Sequence, residues 1–297
     1  MKLKAGILGY GNLGKSLEKA LLKNDDFNLE VIFSRRNIDN ALFQPTKRMD
    51  GYTDLDVLFI ALGSYDDVAK NVSLFAAFDT VDSFDTHAKI QEYKRLLTDE
   101  KPNTLSVCAT GWDPGVLSIA RGIFSLGEAT TATFWGRGIS QGHSNALRSI
   151  RGVLDAVEIT APIPLAIEEA KNGFVEENNR HERICYVACV EQDKERVERE
   201  IREMPHYFAN QQVTVHFCTV SEIKQIKLNT EHAGRVISRG EGYFAETHLD
   251  VACNTDFTAK VMLAYGKAIP HLKRDGYLGA LDPFDIPLKY LADTKLI

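Results

Sequence analysis

Along the first third of the chain, apolar residues come in short runs of strand length, each followed by a stretch with helical spacing. Leu3–Leu8 is such a run, and Lys15–Lys23 after it places Leu17, Ala20 and Leu21 on one helical face. Asn28–Ser34 reads as a second strand. Asp56–Leu62 is almost wholly apolar, as a strand covered on both faces should be. A helix is expected over residues 66–77, a strand over 80–83, a helix over 87–97 and a strand over 105–109. This alternation predicts an α/β fold, a doubly wound (Rossmann-type) parallel sheet with right-handed crossovers.

From about Ala129 the pattern changes. Thr131–Trp135 alternates as a strand, and the glycine-rich stretch 136–148 runs into a helix for which Ser144 is the expected cap. That stretch could be an anion site at a helix N-terminus or a hinge. Residues 184–190, 213–219 and 235–238 are strand-like, while 193–203 is a heavily charged amphipathic helix, read as a solvated outer face. Residues 256–272 form a helix expected to return to the first lobe. The predicted division is a dinucleotide-binding domain over 1–118, joined by 254–297, and an α+β domain over 119–253 built on an open, mostly antiparallel sheet.

The first run leads directly into Gly9-Tyr10-Gly11-Asn12-Leu13-Gly14, a G-x-G-x-x-G in the strand–turn–helix setting that a dinucleotide fingerprint requires. Gly9 permits the tight turn, Gly11 lets backbone approach a pyrophosphate, and Gly14 lets helix and strand pack closely. The helix N-terminus offers unpaired N–H groups to the phosphates. A glycine turn serving packing alone is the plainer alternative. About 20 residues past the last glycine, NAD-selective proteins place a carboxylate on the ribose diol; here stand Ser34, Arg35 and Arg36. A small hydroxyl and two guanidiniums suit a 2′-phosphate, which points to NADP(H). Two solvated loop arginines would look the same in sequence. Gly63 and Ser64 close the Asp56–Leu62 strand, at the edge where such a sheet holds its ligand.

Asp85 and Asp113 both follow predicted strands. Each has a structural explanation: Asp113 before Pro114 reads as a helix cap, and Asp85 could cap the helix near His87. Their place at the carboxyl edge of the sheet makes them catalytic candidates, with Trp112 as a rigid wall beside them. Arg183, by sequence alone, is an ordinary strand arginine.

The chain has 297 residues, 44% hydrophobic and 26% charged, with net charge −6. That balance gives no reason to expect nucleic acid or an anionic membrane as a partner. No apolar run approaches the roughly 18 residues of a membrane span, and the N-terminal stretch lacks a secretory apolar region. The cysteines at 108, 185, 189, 218 and 253 have no ligand spacing, so no metal is expected and free thiols in a reducing cytoplasm are.

From end to end the chain resembles the meso-diaminopimelate dehydrogenase family. The segments that carry the likeness are 9–14, Phe33–Arg36, Thr110-Gly-Trp-Asp-Pro-Gly115, Phe134-Trp-Gly-Arg-Gly-Ile-Ser-Gln-Gly-His-Ser144 and Asn254–Ala259. The resemblance implies reversible, NADP-dependent oxidative deamination at the D-configured carbon of meso-2,6-diaminopimelate, in bacterial lysine and cell-wall precursor synthesis. It implies L-2-amino-6-oxopimelate as product, which cyclises to tetrahydrodipicolinate. It puts Asp85, Trp112, Asp113, Trp135, Gln141 and Gly142 around the reacting end of the substrate, and Thr160, Arg183, His232 and Asn254 around the far, L-configured end. It also implies a homodimer or larger homo-oligomer. Arg137 stands where many members have proline, and residues 231–235 are less glycine-rich than usual, which leaves room for a broader D-amino acid range. A catalytically silent NADP-binding sensor is the reading from another class.

Overall fold

The computed structural model describes residues 2–291 apart from 39–41, 44, 64–66, 175, 177, 178, 206 and 230. In chain order the elements are β1 (Leu3–Leu8), α1 (Asn12–Leu22), β2 (Phe27–Phe33), β3 (Val57–Ile60), α2 (Asp67–Lys70), β4 (Thr80–Asp82), α3 (Ile90–Glu100), β5 (Leu105–Val107) and α4 (Val116–Phe124). There follow β6 (Thr130–Trp135), β7 (Gly138–Ser140), α5 (Gln141–Ser149), β8 (Val153–Pro162), α6 (Pro164–Lys171), β9 (His181–Cys189) and α7 (Lys194–Glu203). The last are β10 (Gln212–Phe217), α8 (Val220–Ile226), β11 (His232–Gly240), β12 (Tyr243–Val251), α9 (Asn254–Arg274) and β13 (Gly279–Leu281). The chain divides into two compact units, residues 1–119 with 255–297, and residues 120–254.

The first unit holds a six-stranded sheet in the order β2-β1-β3-β4-β5-β13, every pair parallel. The direction of winding reverses between β1 and β3, which makes the carboxyl ends of these two strands the switch point where doubly wound sheets take ligands. Both faces are covered. On one, Ile7, Phe59 and Val107 pack with Leu17 and Leu21 of α1 and with Met262, Tyr265 and Ile269 of α9. On the other, Leu8, Leu58 and Ile60 pack with Phe75, Tyr93 and Leu97. This explains why β1 and β3 are near-continuous apolar runs. Gly266 lets α9 lie against the sheet: a Cβ there would come within 2.6 Å of Phe59 and 3.3 Å of Phe27.

The helix expected over 66–77 is interrupted. α2 ends at Lys70 and a 3₁₀ turn covers Val72–Phe75, because the Asn71 amide donates back to the Asp67 carbonyl at 2.6 Å and competes with the helical ladder.

The second unit carries two sheets rather than the single one expected. One is four-stranded, β10-β9-β8-β7, antiparallel except for the β9–β10 pair; the other is the antiparallel β12-β11-β6. Strands β8 and β12 have no counterpart in the sequence-based expectation. Ser140, not Ser144, caps α5, its hydroxyl accepting from the His143 N–H. Ser144 lies one turn inside the helix, where its hydroxyl donates to the Ser140 carbonyl at 2.6 Å and accepts the Glu158 N–H at 2.9 Å.

Replacing Gly266 by Ala should cost about 1–3 kcal/mol of stability, since the rings of Phe59 and Phe27 are both buried. Urea unfolding measures it; an unchanged midpoint would mean that α9 packs otherwise.

Candidate active site

In the first unit, the turn after β1 is built by backbone contact. Gly9 has φ +101°, and a Cβ on it would meet the Ala61 carbonyl oxygen at 2.6 Å. A Cβ on Gly14 would meet the Gly9 oxygen at 2.3 Å, whereas Gly11 faces open space with nothing within 4 Å. Close packing at the outer two glycines and room at the middle one is the division of labour that a pyrophosphate needs. Gly11 caps α1 with no side-chain hydrogen bond, so no capping side chain occupies the helix's first N–H groups. Asn12 is exposed and Leu13 half-buried; Gly63, after β3, is exposed, and Ser64 lies outside the described residues.

Tyr10 is buried, and its hydroxyl donates to Glu18 at 2.5 Å; the other Glu18 oxygen accepts the Phe43 N–H at 2.6 Å. Burial pushes the Tyr10 phenol up to about 12. This buried pair ties α1 to the segment after β2, which also carries the arginines. Arg36 donates to the Tyr10 carbonyl at 2.9 Å and its N–H to the Ser34 hydroxyl at 3.2 Å, while the exposed Arg35 stands 3.4 Å from Asp67. Ser34, Arg35 and Arg36 therefore gather beside the glycine turn.

The strand-end aspartates differ in setting. Asp85 is exposed, while the Asp113 side chain is 1% exposed, with His87 at 3.9 Å. Asp113 precedes a cis peptide to Pro114, and α4 starts only at Val116, so Pro114 is not the first residue of a helix that Asp113 would cap. Trp112 is buried. Beneath them lies Asp82, which sequence reasoning passed over. Its carboxylate accepts the Phe84 N–H at 2.9 Å, the Ala109 N–H at 3.3 Å and the Tyr93 hydroxyl at 3.0 Å. Its carbonyl takes the Thr110 hydroxyl at 2.8 Å. One buried side chain thus fixes the segment leading to Asp85 against the one leading to Trp112 and Asp113. Burial pushes that carboxyl up to about 6 in spite of these donors.

In the second unit, Thr160 and Arg183 are register partners on β8 and β9, and Arg183 Nη1 donates to Thr160 Oγ1 at 2.8 Å. Arg183 is no solvated strand arginine: its side chain is 12% exposed, and Nε is buried with no hydrogen-bond partner among the described residues. Under the pair lies Glu158, fully buried, with one oxygen 3.8 Å from Arg183 and both accepting from Thr160 at 3.0 and 3.1 Å. Burial pushes Glu158 up to about 7, against the pull of Arg183, and lowers Arg183 itself.

Trp135 is fixed by a second overlooked residue. His181 accepts the Trp135 N–H at Nε2, at 2.8 Å, and stacks on the indole at 5.3 Å. Burial and the nearby arginines hold His181 down to about 3, so it is neutral and able to accept. After Trp135 the chain turns at Gly136, φ +100°, where a Cβ would strike the Thr160 carbonyl at 2.0 Å. Arg137 follows, exposed. Gln141 and Gly142 open α5 at its exposed tip, and a Cβ on Gly142 would meet nothing within 4 Å. The His232 ring packs on Gly138, the register partner of Thr160. Asn254, at the head of α9, comes three residues after Val251, the partner of His232. Glu158 and His181 stand two residues before Thr160 and Arg183 and so share their strand faces, the one local signal for them; Asp82 has no such spacing to Asp85.

A glycine turn at the switch point of a parallel sheet, arginines beside it and acidic groups past the next strands define a dinucleotide-dependent oxidoreductase. The family model for the diaminopimelic acid dehydrogenase C-terminal domain matches residues 111–256. The meso-diaminopimelate D-dehydrogenase of Acetivibrio thermocellus is 40% identical, over 98% of this chain and 94% of that protein. The structure of C. glutamicum DAP dehydrogenase in complex with DAP superposes with a TM-score of 0.91 at 35% identity, covering 99% of this chain and 97% of that one. An engineered D-amino acid dehydrogenase bound to NADP+ superposes with a TM-score of 0.87 at 34% identity, covering 98% and 96%. The chain belongs to the meso-diaminopimelate D-dehydrogenase family.

Gly14→Ala should weaken NADPH binding tenfold or more, because the added methyl forces α1 away from the Gly9 carbonyl. Fluorescence titration reads it, and undiminished affinity would remove the glycine turn from the cofactor site.

Proposed function

We propose that this protein oxidatively deaminates meso-2,6-diaminopimelate at its D-centre, giving L-2-amino-6-oxopimelate and ammonia, with NADP+ as hydride acceptor. The observation that carries the reading is the buried guanidinium of Arg183, whose Nε has no partner among the described residues and to which Thr160 is bonded: a carboxylate recognition element built into the core of a sheet. The cofactor is assigned to residues 9–14, with Ser34, Arg35 and Arg36 on the 2′-phosphate and Gly63 and Ser64 at the adjoining strand end. When bound, it supplies the electrophilic carbon that takes the hydride.

The substrate carries an ammonium and a carboxylate at each end. Thr160, Arg183, His232 and Asn254 are assigned to the L end. Arg183 offers a planar fork, and Thr160 adds a donor. His232, lowered by burial, is neutral, and its Nδ1 accepts the Ala233 N–H at 3.0 Å. The reacting end is assigned to Asp85, Trp112, Asp113, Trp135, Gln141 and Gly142. Hydride leaves carbon only as the nitrogen lone pair becomes available, so the ammonium must first lose a proton, and Asp85 or Asp113 accepts it, directly or through water. Water then adds to the resulting imine and ammonia departs. Holding the L end in a charged pocket presents the D-configured carbon alone, so selection of the stereocentre follows from where the clamp sits.

We also assign self-association, as a homodimer or larger homo-oligomer, to the second unit. β12 pairs only with β11 among the described residues, and its residues 243–250 are all at least partly exposed. Free cysteines at all five positions suit a reducing cytoplasm.

Arg183→Ala should raise KM for meso-diaminopimelate at least tenfold and erode discrimination among its isomers; steady-state kinetics with an unchanged KM would dispose of the clamp. Asp113→Asn should lower kcat at least tenfold with little change in Tm. A fall in Tm with kcat preserved would make Asp113 a structural residue.

A further inference from the structure

Glu158 has no part in the reaction just described, yet it is fully buried against two of the residues assigned to the L end. Both its oxygens accept the single hydroxyl hydrogen of Thr160, at 3.0 and 3.1 Å. The Thr160 oxygen accepts in turn from Arg183 Nη1 at 2.8 Å. A hydroxyl has one hydrogen and two lone pairs. While Glu158 is ionised, the Thr160 hydrogen is directed inward and cannot be given to a ligand. Arg183, 3.8 Å from Glu158, is at the same time partly neutralised by an internal anion.

Resting on the assignment of Thr160 and Arg183 to the distal carboxylate, we propose that Glu158 takes up a proton from solvent as that carboxylate binds, and that this turns the Thr160 hydroxyl from Glu158 to the substrate. The hydrogens balance. The incoming proton forms an O–H on Glu158, which donates to Thr160 Oγ1. That oxygen keeps the Arg183 bond on its second lone pair, and its own hydrogen is released to the substrate. Arg183 then faces one anion instead of two. Glu158 is thus a positioning residue, acting on substrate through Thr160 and Arg183.

The surroundings leave Glu158 as the group poised to do this. Across the strand pair, β9 presents Arg183, His181 and Cys185, the register partner of Glu158. The Cys185 thiol is pushed up by burial, and stays protonated. α5 presents His143, which burial and Arg183 hold down to about 3, as His181 is held. Arg148 of α5 is turned to the Ala156 carbonyl at 2.6 Å. β7 offers no titratable side chain over Gly138–Ser140, and Val157, the neighbour on the other face of β8, packs on Ile223 of α8. Lys227, the residue just after α8, pairs with Asp155 at 2.6 Å, three residues up the strand from Glu158. Burial holds Glu158 at about 7 against the pull of Arg183 and the Thr160 hydrogen bond, and a second carboxylate on the same guanidinium raises it further.

The test is calorimetric titration of meso-2,6-diaminopimelate into the protein saturated with NADPH, a pair that cannot react because both are reduced. It is run in buffers of differing ionisation enthalpy at about pH 8 and about pH 6. Uptake close to one proton is expected at the higher pH, falling towards zero at the lower, where Glu158 is already protonated. Glu158→Gln should bind with no proton uptake at either pH. Buffer-independent heats for the unmodified protein at the higher pH, uptake as large at the lower, or unchanged uptake in Glu158→Gln would each overturn the proposal. The series on the unmodified protein decides the matter even if that variant does not fold. Binding that is indifferent to Arg183→Ala would instead remove the site assignment beneath it. Binding lost in Arg183→Ala, with buffer-independent heats in the parent, would remove only the Glu158 step.

Discussion

A guanidinium inside a sheet is the constraint around which the second unit is arranged. A buried cation is costly unless its charge and its donors are met. Arg183 is met in part by Glu158 and Thr160, and Nε has no partner among the described residues. That incomplete satisfaction makes sense in a protein whose ligand brings its own carboxylate. The supporting residues follow from it: Ser144 holds the Glu158 backbone, and Ser140 starts the helix whose first residues are Gln141 and Gly142. His181, kept neutral beside the arginine, can accept the Trp135 N–H only because it is neutral.

The first unit uses the same economy of buried polar side chains to fix irregular segments at a rigid edge. Glu18 ties the segment after β2 to α1, and Asp82 ties the two segments beyond β4 and β5 to each other. Each is a carboxylate with more than one donor on it, which determines a position more sharply than apolar packing does. The proposed reacting groups stand beyond the strand ends, on segments whose positions these buried carboxylates fix.

Apart from the edge strand β13 and the break after α2, the first unit was legible in the sequence because its strands are covered on both faces and so read as unbroken apolar runs, with a glycine motif at the right junction. β8 was not, because Val153–Pro162 places Asp155, Glu158 and Thr160 within the strand. Those polar side chains are met in space by Lys227 and Arg183, and nothing local announces such partners. The cap of α5 went to the wrong serine for a related reason: two serines stand four residues apart, and the second is claimed by the backbone of a strand unseen in the sequence. Arg183 looked like surface for want of that same strand. Its role could be carried over from the family resemblance, but its burial, an Nε without a partner among the described residues and the carboxylate beneath it had to come from the fold.

The central claim is that one charged pocket fixes the L end and thereby exposes one stereocentre to NADP+. The most direct measurement is the rate of NADPH formation with the separated meso, LL and DD isomers of 2,6-diaminopimelate. The account predicts turnover with the meso isomer and little with LL, which has no D-configured carbon, or with DD, which has no L end to clamp. Comparable rates with all three, or none with meso, would contradict it.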